Sequence, residues 1–186
     1  MPTARRQRLF ELGQLDLMLA ASNTAERRRY ARFSAPYRYE TVGLFTRSNR
    51  RADYLHINNL DQLARQGIGL LAPKVGYYGP AYARLQPQLS ASGKLSTFTS
   101  FQQGLRMLDA GRADLILGDS GALRHEAKLQ GIAISALPLV VLRAPVHLML
   151  NKSSTSPAEL ERINAAIARL EHNGTLAAIR ARYGDL

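Results

Sequence analysis

Two segments of the same form, one beginning at Gly13 and the other at Gly111, most constrain what this chain can fold into. Gly13-Gln14-Leu15-Asp16-Leu17-Met18-Leu19 and Gly111-Arg112-Ala113-Asp114-Leu115-Ile116-Leu117 each follow a helical stretch. In both, a glycine and a spacer lead into an apolar run whose second residue is aspartate. A glycine just past a helix, followed by a short apolar run, reads as a helix-to-strand junction. Two such junctions far apart in one chain predict two similar α/β lobes. Ligands of open α/β sheets bind beyond the carboxyl ends of the strands. The candidate functional residues therefore follow Leu19 in one lobe and Leu117 in the other.

Ser22, Thr24 and Arg27 follow the first strand, and Gly118-Asp119-Ser120 follows the second. The planar guanidinium fork of arginine suits a carboxylate, which it binds through two hydrogen bonds. An arginine in one lobe and an aspartate in the other suit a zwitterion, with its α-carboxylate on Arg27 and its α-ammonium on Asp119. Each residue has a second reading. Asp119 also fits the N-cap of a helix running from Ser120 to Gln130, a position that favours aspartate. Arg27 also reads as one more exposed arginine in a run with Arg28 and Arg29. In the loop Ala72-Pro73-Lys74-Val75-Gly76-Tyr77-Tyr78-Gly79-Pro80, Lys74 and Tyr77 are candidates to line the site, against a surface lysine and a packed tyrosine.

The stretch from Leu12 to Tyr37 organises the first lobe. Leu15 to Leu19 reads as a buried strand, Ala20 to Thr24 as a small polar strand-end loop, and Glu26 to Arg29 as a basic turn. Phe33 to Tyr37 reads as extended, because Pro36 disfavours the helical region at Ala35. The ordered set Gly13, Asp16, Ser22, Thr24, Glu26, Arg27, Phe33, Ser34, Pro36 and Tyr37 resembles the bacterial solute-binding proteins of family 3, the amino-acid-binding group of type 2 periplasmic binding proteins. The ending from Asn173, N-G-T-L-x-x-I-x-x-R-Y-G, is similar to the family's terminal pattern. The resemblance implies a two-lobed α/β architecture with a hinge. The implied function is noncovalent binding of an amino acid or similar small polar solute between the lobes, as the substrate-binding component of an ABC-type uptake system. It also implies a periplasmic location, a membrane permease as partner for the closed form, and a monomer. Asp119 stands at the family's ammonium-binding acid.

The sequence departs from the family in three places. Lys74 stands where a hydroxyl is common, and Ala20 and Ala21 replace residues that are often hydroxylic or glycine. The chain enters near the helix that follows the family's first strand-helix-strand, so the first lobe is expected to be incomplete at its N-terminus. A sensory or regulatory ligand-binding domain of the same fold is the alternative reading.

The expected lobes are residues 1–47, residues 48–144, and a return to the first lobe over residues 145–186 with the C-terminal helices. Strands are expected at Glu40–Arg47, Ile68–Leu71, Leu95–Phe98, Ala113–Leu117, Ile132–Ser135, Val140–Leu142 and Val146–Leu150. Ser90 to Lys94 reads as a loop. Helices are expected from Asn59, from Ser100 and from Ser156, where serine, Pro157 and Glu159 form a strong start. Leu160, Ile163, Ile167 and Leu170 form the last helix's buried stripe.

Composition narrows the function classes. The chain has no cysteine, which excludes disulfides, thiolate metal sites and cysteine nucleophiles. Its four histidines have no metal spacing, no cofactor is expected, and there is no glycine-rich phosphate loop. Ser120 lies in Gly-Asp-Ser-Gly without the spacing of a nucleophile elbow, so an enzyme is not expected. A net charge of +11 raises a basic nucleic-acid-binding module as a third reading. No helix-turn-helix, zinc-finger or aromatic RNA-binding signature accompanies the arginine clusters, so nucleic acid is not the expected partner. Met1 to Arg8 does not read as a signal peptide, because Glu11, Gln14 and Asp16 interrupt the apolar residues that follow.

Overall fold

The computed structural model describes residues 3–183. In chain order its elements are α1 (Thr3–Glu11), β1 (Leu17–Ala21), β2 (Ala31–Phe33), β3 (Arg38–Arg47), α2 (Arg51–Tyr54), α3 (Asp61–Gln66), β4 (Leu70–Pro73) and α4 (Pro80–Ala91). They continue with β5 (Leu95–Phe98), α5 (Phe101–Asp109), β6 (Leu115–Asp119), α6 (Ser120–Gln130), β7 (Ile134–Asn151), α7 (Pro157–His172) and α8 (Thr175–Tyr183). Single 3₁₀ turns occupy Arg27–Arg29 and Ser48–Arg50. This is a mixed α/β fold. The chain divides into two compact units, Met1–Glu40 with Ala144–Leu186 (unit 1) and Thr41–Arg143 (unit 2).

Unit 2 is built on strands in the order β3-β6-β4-β5. Strands β4, β5 and β6 run parallel, with Leu70 opposite both Leu95 and Leu115. Strand β3 is antiparallel to β6, with Val42 opposite Asp119 and Phe45 opposite Ile116. Side chains alternate across a strand, and a sheet covered on both faces therefore needs nearly continuous apolar strands. The sequence supplies them. Leu44, Leu70, Leu115 and Leu117 enter one core with Leu63 of α3 and Leu85 and Leu89 of α4. Phe45, Leu71 and Ile116 enter the other with Leu105 and Leu108 of α5 and Leu123 of α6. The helix ends follow local rules. Ser100 caps α5 by accepting from the Gln103 amide, and Gly67 and Gly131 close α3 and α6 in the left-handed conformation.

Several expected boundaries move. Ser90 and Ala91 belong to α4, because buried Leu89 holds its last turn and accepts from the Lys94 amide. Strand β6 runs to Asp119 rather than stopping at Leu117. The three strands expected between Ile132 and Leu150 form one 18-residue strand, β7. Pro138 and Pro145 each withhold one donor without ending it.

Tyr82 packs inside unit 2 at 5% exposure, edge-on to Tyr78, and its hydroxyl has no partner among the described residues. Burial pushes its phenol up to about 12. Between pH 10 and 12 the unfolded chain loses this proton while the folded chain keeps it, so stability falls across that window. Tyr82→Phe is expected to remove this part of the alkaline loss. It should also raise stability at neutral pH by about 1 kcal/mol, by deleting an unsatisfied buried group. Denaturant unfolding at pH 7 and pH 11 checks both effects.

Unit 1 pairs β7 antiparallel with β1 (Leu17 opposite Leu150) and with β2 (Phe33 opposite Met149). Its core cluster is small, with Phe10, Ala21, Ala31 and Met149, and Val146 and Leu150 of β7 are buried as well. Two expectations are corrected here. The apolar run before the first loop is not a buried strand, since Leu17 is 42% and Leu19 64% exposed on β1. The stripe of α7 is only half covered, with Leu160, Ile163 and Ile167 intermediate and Leu170 39% exposed. In both cases the pattern is present, but the described residues of the unit do not cover it fully. The Ser156–Glu159 start of α7 is a complete capping box, and its hydrogen bonds hold the Glu159 carboxyl below the ordinary value. Gly184 of the terminal pattern lies outside the described residues.

Candidate functional site

In unit 1 the candidate residues sit on one strand-end loop. Strand β1 bulges between Met18 and Ala21, and Ala20 takes the left-handed conformation at φ +54. That conformation costs an alanine free energy a glycine would not pay, so it persists only where neighbours fix it. The Ala20 amide donates to the Tyr37 hydroxyl at 3.1 Å, and Ser22 Oγ donates to Glu40 Oε1 at 3.4 Å. The loop then closes on itself. Thr24 Oγ1 accepts from the Arg27 amide at 3.3 Å, and Arg27 Nη1 donates to the Ser22 carbonyl at 3.0 Å. The structure thus brings Ser22, Thr24 and Arg27 together.

Arg27 differs from its neighbours in the run. Arg28 and Arg29 are exposed, whereas Arg27 is half-buried. Burial pushes the Tyr30 phenol up, and the Arg27 guanidinium, hydrogen-bonded to it, pulls it back down. Ring and carbonyl together fix the direction of the Arg27 fork. Tyr37 and Glu40 are the residues the sequence reading passed over. Tyr37 stood in the quoted motif without a role, and nothing local pointed to Glu40, which reaches Ser22 from β3.

In unit 2 the remaining candidates lie at the carboxyl ends of the parallel strands. There Pro73 ends β4, Phe98 ends β5 and Asp119 ends β6, and helices α4, α5 and α6 begin just beyond, at Gly79, Ser100 and Asp119. Three helix N-termini at one strand edge favour negative charge there. Asp119 Oδ1 accepts from the Ala122 amide at 2.8 Å and caps α6, as its second reading had it. Lys74 follows β4 directly; its amide donates to the Phe98 carbonyl at 2.8 Å, and its side chain is exposed. Tyr77 is 40% exposed. The packed tyrosine of this loop is its neighbour Tyr78, which donates to the Val75 carbonyl and meets Tyr82 edge to face. Ser120 opens α6 with its Oγ 3.2 Å from where a Cβ on Gly43 would lie. Among the described residues no group of three or more histidine, aspartate or glutamate side chains is gathered to hold a metal.

The model of the bacterial extracellular solute-binding proteins, family 3, matches residues 1–185, and the chain belongs to that family. Three solved structures share the fold. An amino acid ABC transporter substrate-binding protein from Streptococcus pneumoniae, bound to L-arginine, aligns with TM-score 0.77 at 19% identity, covering 96% of this chain and 71% of that one. A histidine kinase sensor domain with similarity to periplasmic binding proteins aligns with TM-score 0.79 at 17% identity, covering 98% and 75%. An ancestral amino-acid-binding protein, a precursor of cyclohexadienyl dehydratase, aligns with TM-score 0.75 at 20% identity, covering 95% and 72%. Comparison with curated protein sequences gives no match.

Proposed function

We propose that this protein binds an amino acid or a closely similar zwitterion noncovalently, with the ligand carboxylate on Arg27 and its ammonium on Asp119. The observation that carries the reading is the singling out of Arg27. Of three consecutive arginines it alone is half-buried and held by a carbonyl and a phenol in its own unit. Ser22 and Thr24 shape its loop. Asp119 keeps its cap while offering a carboxylate to an ammonium group, since a carboxylate accepts several hydrogen bonds at once. Lys74 and Tyr77 line the same strand edge as Asp119 and contact the rest of the ligand.

A ligand that touches both units stabilises whichever arrangement it binds better. In an uptake system that arrangement docks on a membrane permease, in the extracellular or periplasmic setting of the family. A monomer is sufficient for this mechanism. Among the described residues no helix is long and apolar enough to cross a membrane. The sensor-domain neighbour supports a second reading, in which the same binding event signals rather than delivers.

Thermal unfolding with and without pooled amino acids tests the site. Ligand at one hundred times its dissociation constant should add about 2.7 kcal/mol, a rise of roughly 5–10 °C for a chain of this size. Arg27→Ala should abolish the rise. Asp119→Ser keeps a capping side chain but loses the ammonium acceptor, so it should fold normally and show no rise. No shift in the parent protein would sink amino-acid binding, and a full shift in Asp119→Ser would leave Asp119 a cap alone.

A further inference from the structure

The strand edge of unit 2 carries a charge pattern that binding of a zwitterion leaves unused. Strands β4 and β6 are parallel neighbours, with Leu70 opposite Leu115 and Leu71 opposite Ile116. Carried three residues on, the same register sets Lys74 level with Asp119. Adjacent strands lie about 4.8 Å apart, so the two charged residues stand side by side at the ends of neighbouring strands. They do not pair. Among the described residues no ion pair holds the Lys74 side chain, which is exposed. Its backbone is fixed all the same, because the Lys74 amide continues the ladder to β5 by donating to the Phe98 carbonyl at 2.8 Å.

Little else at this edge is charged. Lys74 to Gly79 leave β4, Thr99 and Ser100 leave β5, and Asp119 joins β6 to α6; Lys74 is the one cation in these stretches and Asp119 the one anion. Helix starts add positive character. Ser100 caps α5 and Asp119 caps α6, but no side-chain hydrogen bond caps α4 at Gly79. Once a ligand ammonium engages Asp119, the charge left at the edge is positive. A neutral ligand side chain leaves it unanswered, and a cationic one meets repulsion. A carboxylate is met by the Lys74 ammonium, a compact cation with three donors.

Resting on the binding reading above, we infer that the ligand is an acidic amino acid, its side-chain carboxylate held by Lys74. Specificity is a difference of affinities. Lys74 supplies both halves of it, attraction for a second carboxylate and rejection of a basic side chain. In an acidic amino acid the ammonium and the side-chain carboxylate are separated by a distance of the same order as the strand spacing. One ligand therefore reaches Asp119 and Lys74 together within unit 2.

Calorimetric titration of the full chain at pH 7 and constant ionic strength, with L-glutamate, L-aspartate, L-glutamine and L-arginine, tests the assignment. One of the two acidic amino acids is expected to bind about tenfold more tightly than L-glutamine, with L-arginine weaker still. Lys74→Gln should erase that preference, and Lys74→Arg should keep it. Lys94→Gln removes the same charge from an exposed site just before β5, at the opposite end of the strand, and should leave the preference unchanged. Tighter binding of glutamine or arginine by the parent protein would overturn the assignment while the zwitterion site stands. So would an acidic preference that survives Lys74→Gln, or one lost equally in Lys94→Gln. If none of the four binds, a thermal rise with pooled amino acids would overturn the assignment alone, and no rise would overturn the zwitterion site with it.

Discussion

Asp114→Ala is expected to lower the stability of this protein by about 3–4 kcal/mol, while Asp16→Ala should leave it within about 0.5 kcal/mol. The two aspartates hold matched positions in the paired segments, yet their surroundings differ. Asp114 Oδ1 accepts from the Tyr54 hydroxyl and Oδ2 from the Gly69 amide, both at 2.8 Å. Its carbonyl takes the Thr46 hydroxyl at 2.9 Å. One carboxylate thus joins α2, the start of β4 and the start of β6. Tyr54 reports the arrangement, since burial and then the bond to Asp114 push its phenol above the ordinary value. Alanine would take the acceptor from the hydroxyl of buried Tyr54 and from an amide, each bond worth about 1.5–3 kcal/mol when made to a charged acceptor. Asp16 is exposed, and the bond at that residue is a backbone one, from the Asn151 amide to its carbonyl. Calorimetric melting of both variants decides the matter. At about 2–4 °C per kcal/mol, a fall of less than a few degrees for Asp114→Ala would show that water replaces the carboxylate cheaply.

Asn151→Ala is expected to cost unit 1 about 2–4 kcal/mol, and Asn151→Asp at least as much. Asn151 is 4% exposed at the end of β7. Its Nδ2 donates to the carbonyls of Phe10 and Leu15, which brackets the turn from α1 toward β1. Its Oδ1 accepts from the Ser153 amide and hydroxyl, and its carbonyl takes the Thr155 amide. With four buried apolar residues in its core cluster among the described residues, unit 1 leans on this clasp more than unit 2 would. Aspartate would turn a carboxylate oxygen toward two carbonyl oxygens. The readout is hydrogen exchange at the α1 and β1 amides, which should speed up in both variants while unit 2 amides keep their rates. Unchanged exchange in unit 1 would place its stability elsewhere.

Much of the fold was legible because its causes are local. The Ser156-Pro157-Glu159 start, the Ser100 cap and the glycines closing α3 and α6 depend on backbone geometry within one turn. The apolar runs at Ile68–Leu71 and Ala113–Leu117 announced strands of an α/β unit, and the motif from Gly13 to Tyr37 announced the family. Within the candidate site, the loop grouping of Ser22, Thr24 and Arg27 was readable because all three lie within six residues. Hidden from the sequence were contacts made by distant residues: Glu40 on Ser22, Tyr37 on the Ala20 amide, and Asp114 on Gly69.

The paired segments draw the line between the two levels. By itself the sequence determined that each is a helix-glycine-strand junction, because glycine conformation and apolar periodicity act over a few residues. Only the tertiary structure decided that Leu115 to Leu117 are wholly buried while Leu17 and Leu19 face solvent. It also decided that Asp114 anchors a core where Asp16 does not. Burial and hydrogen-bond pairing belong to whatever packs against a segment, and a segment's own residues carry no record of that.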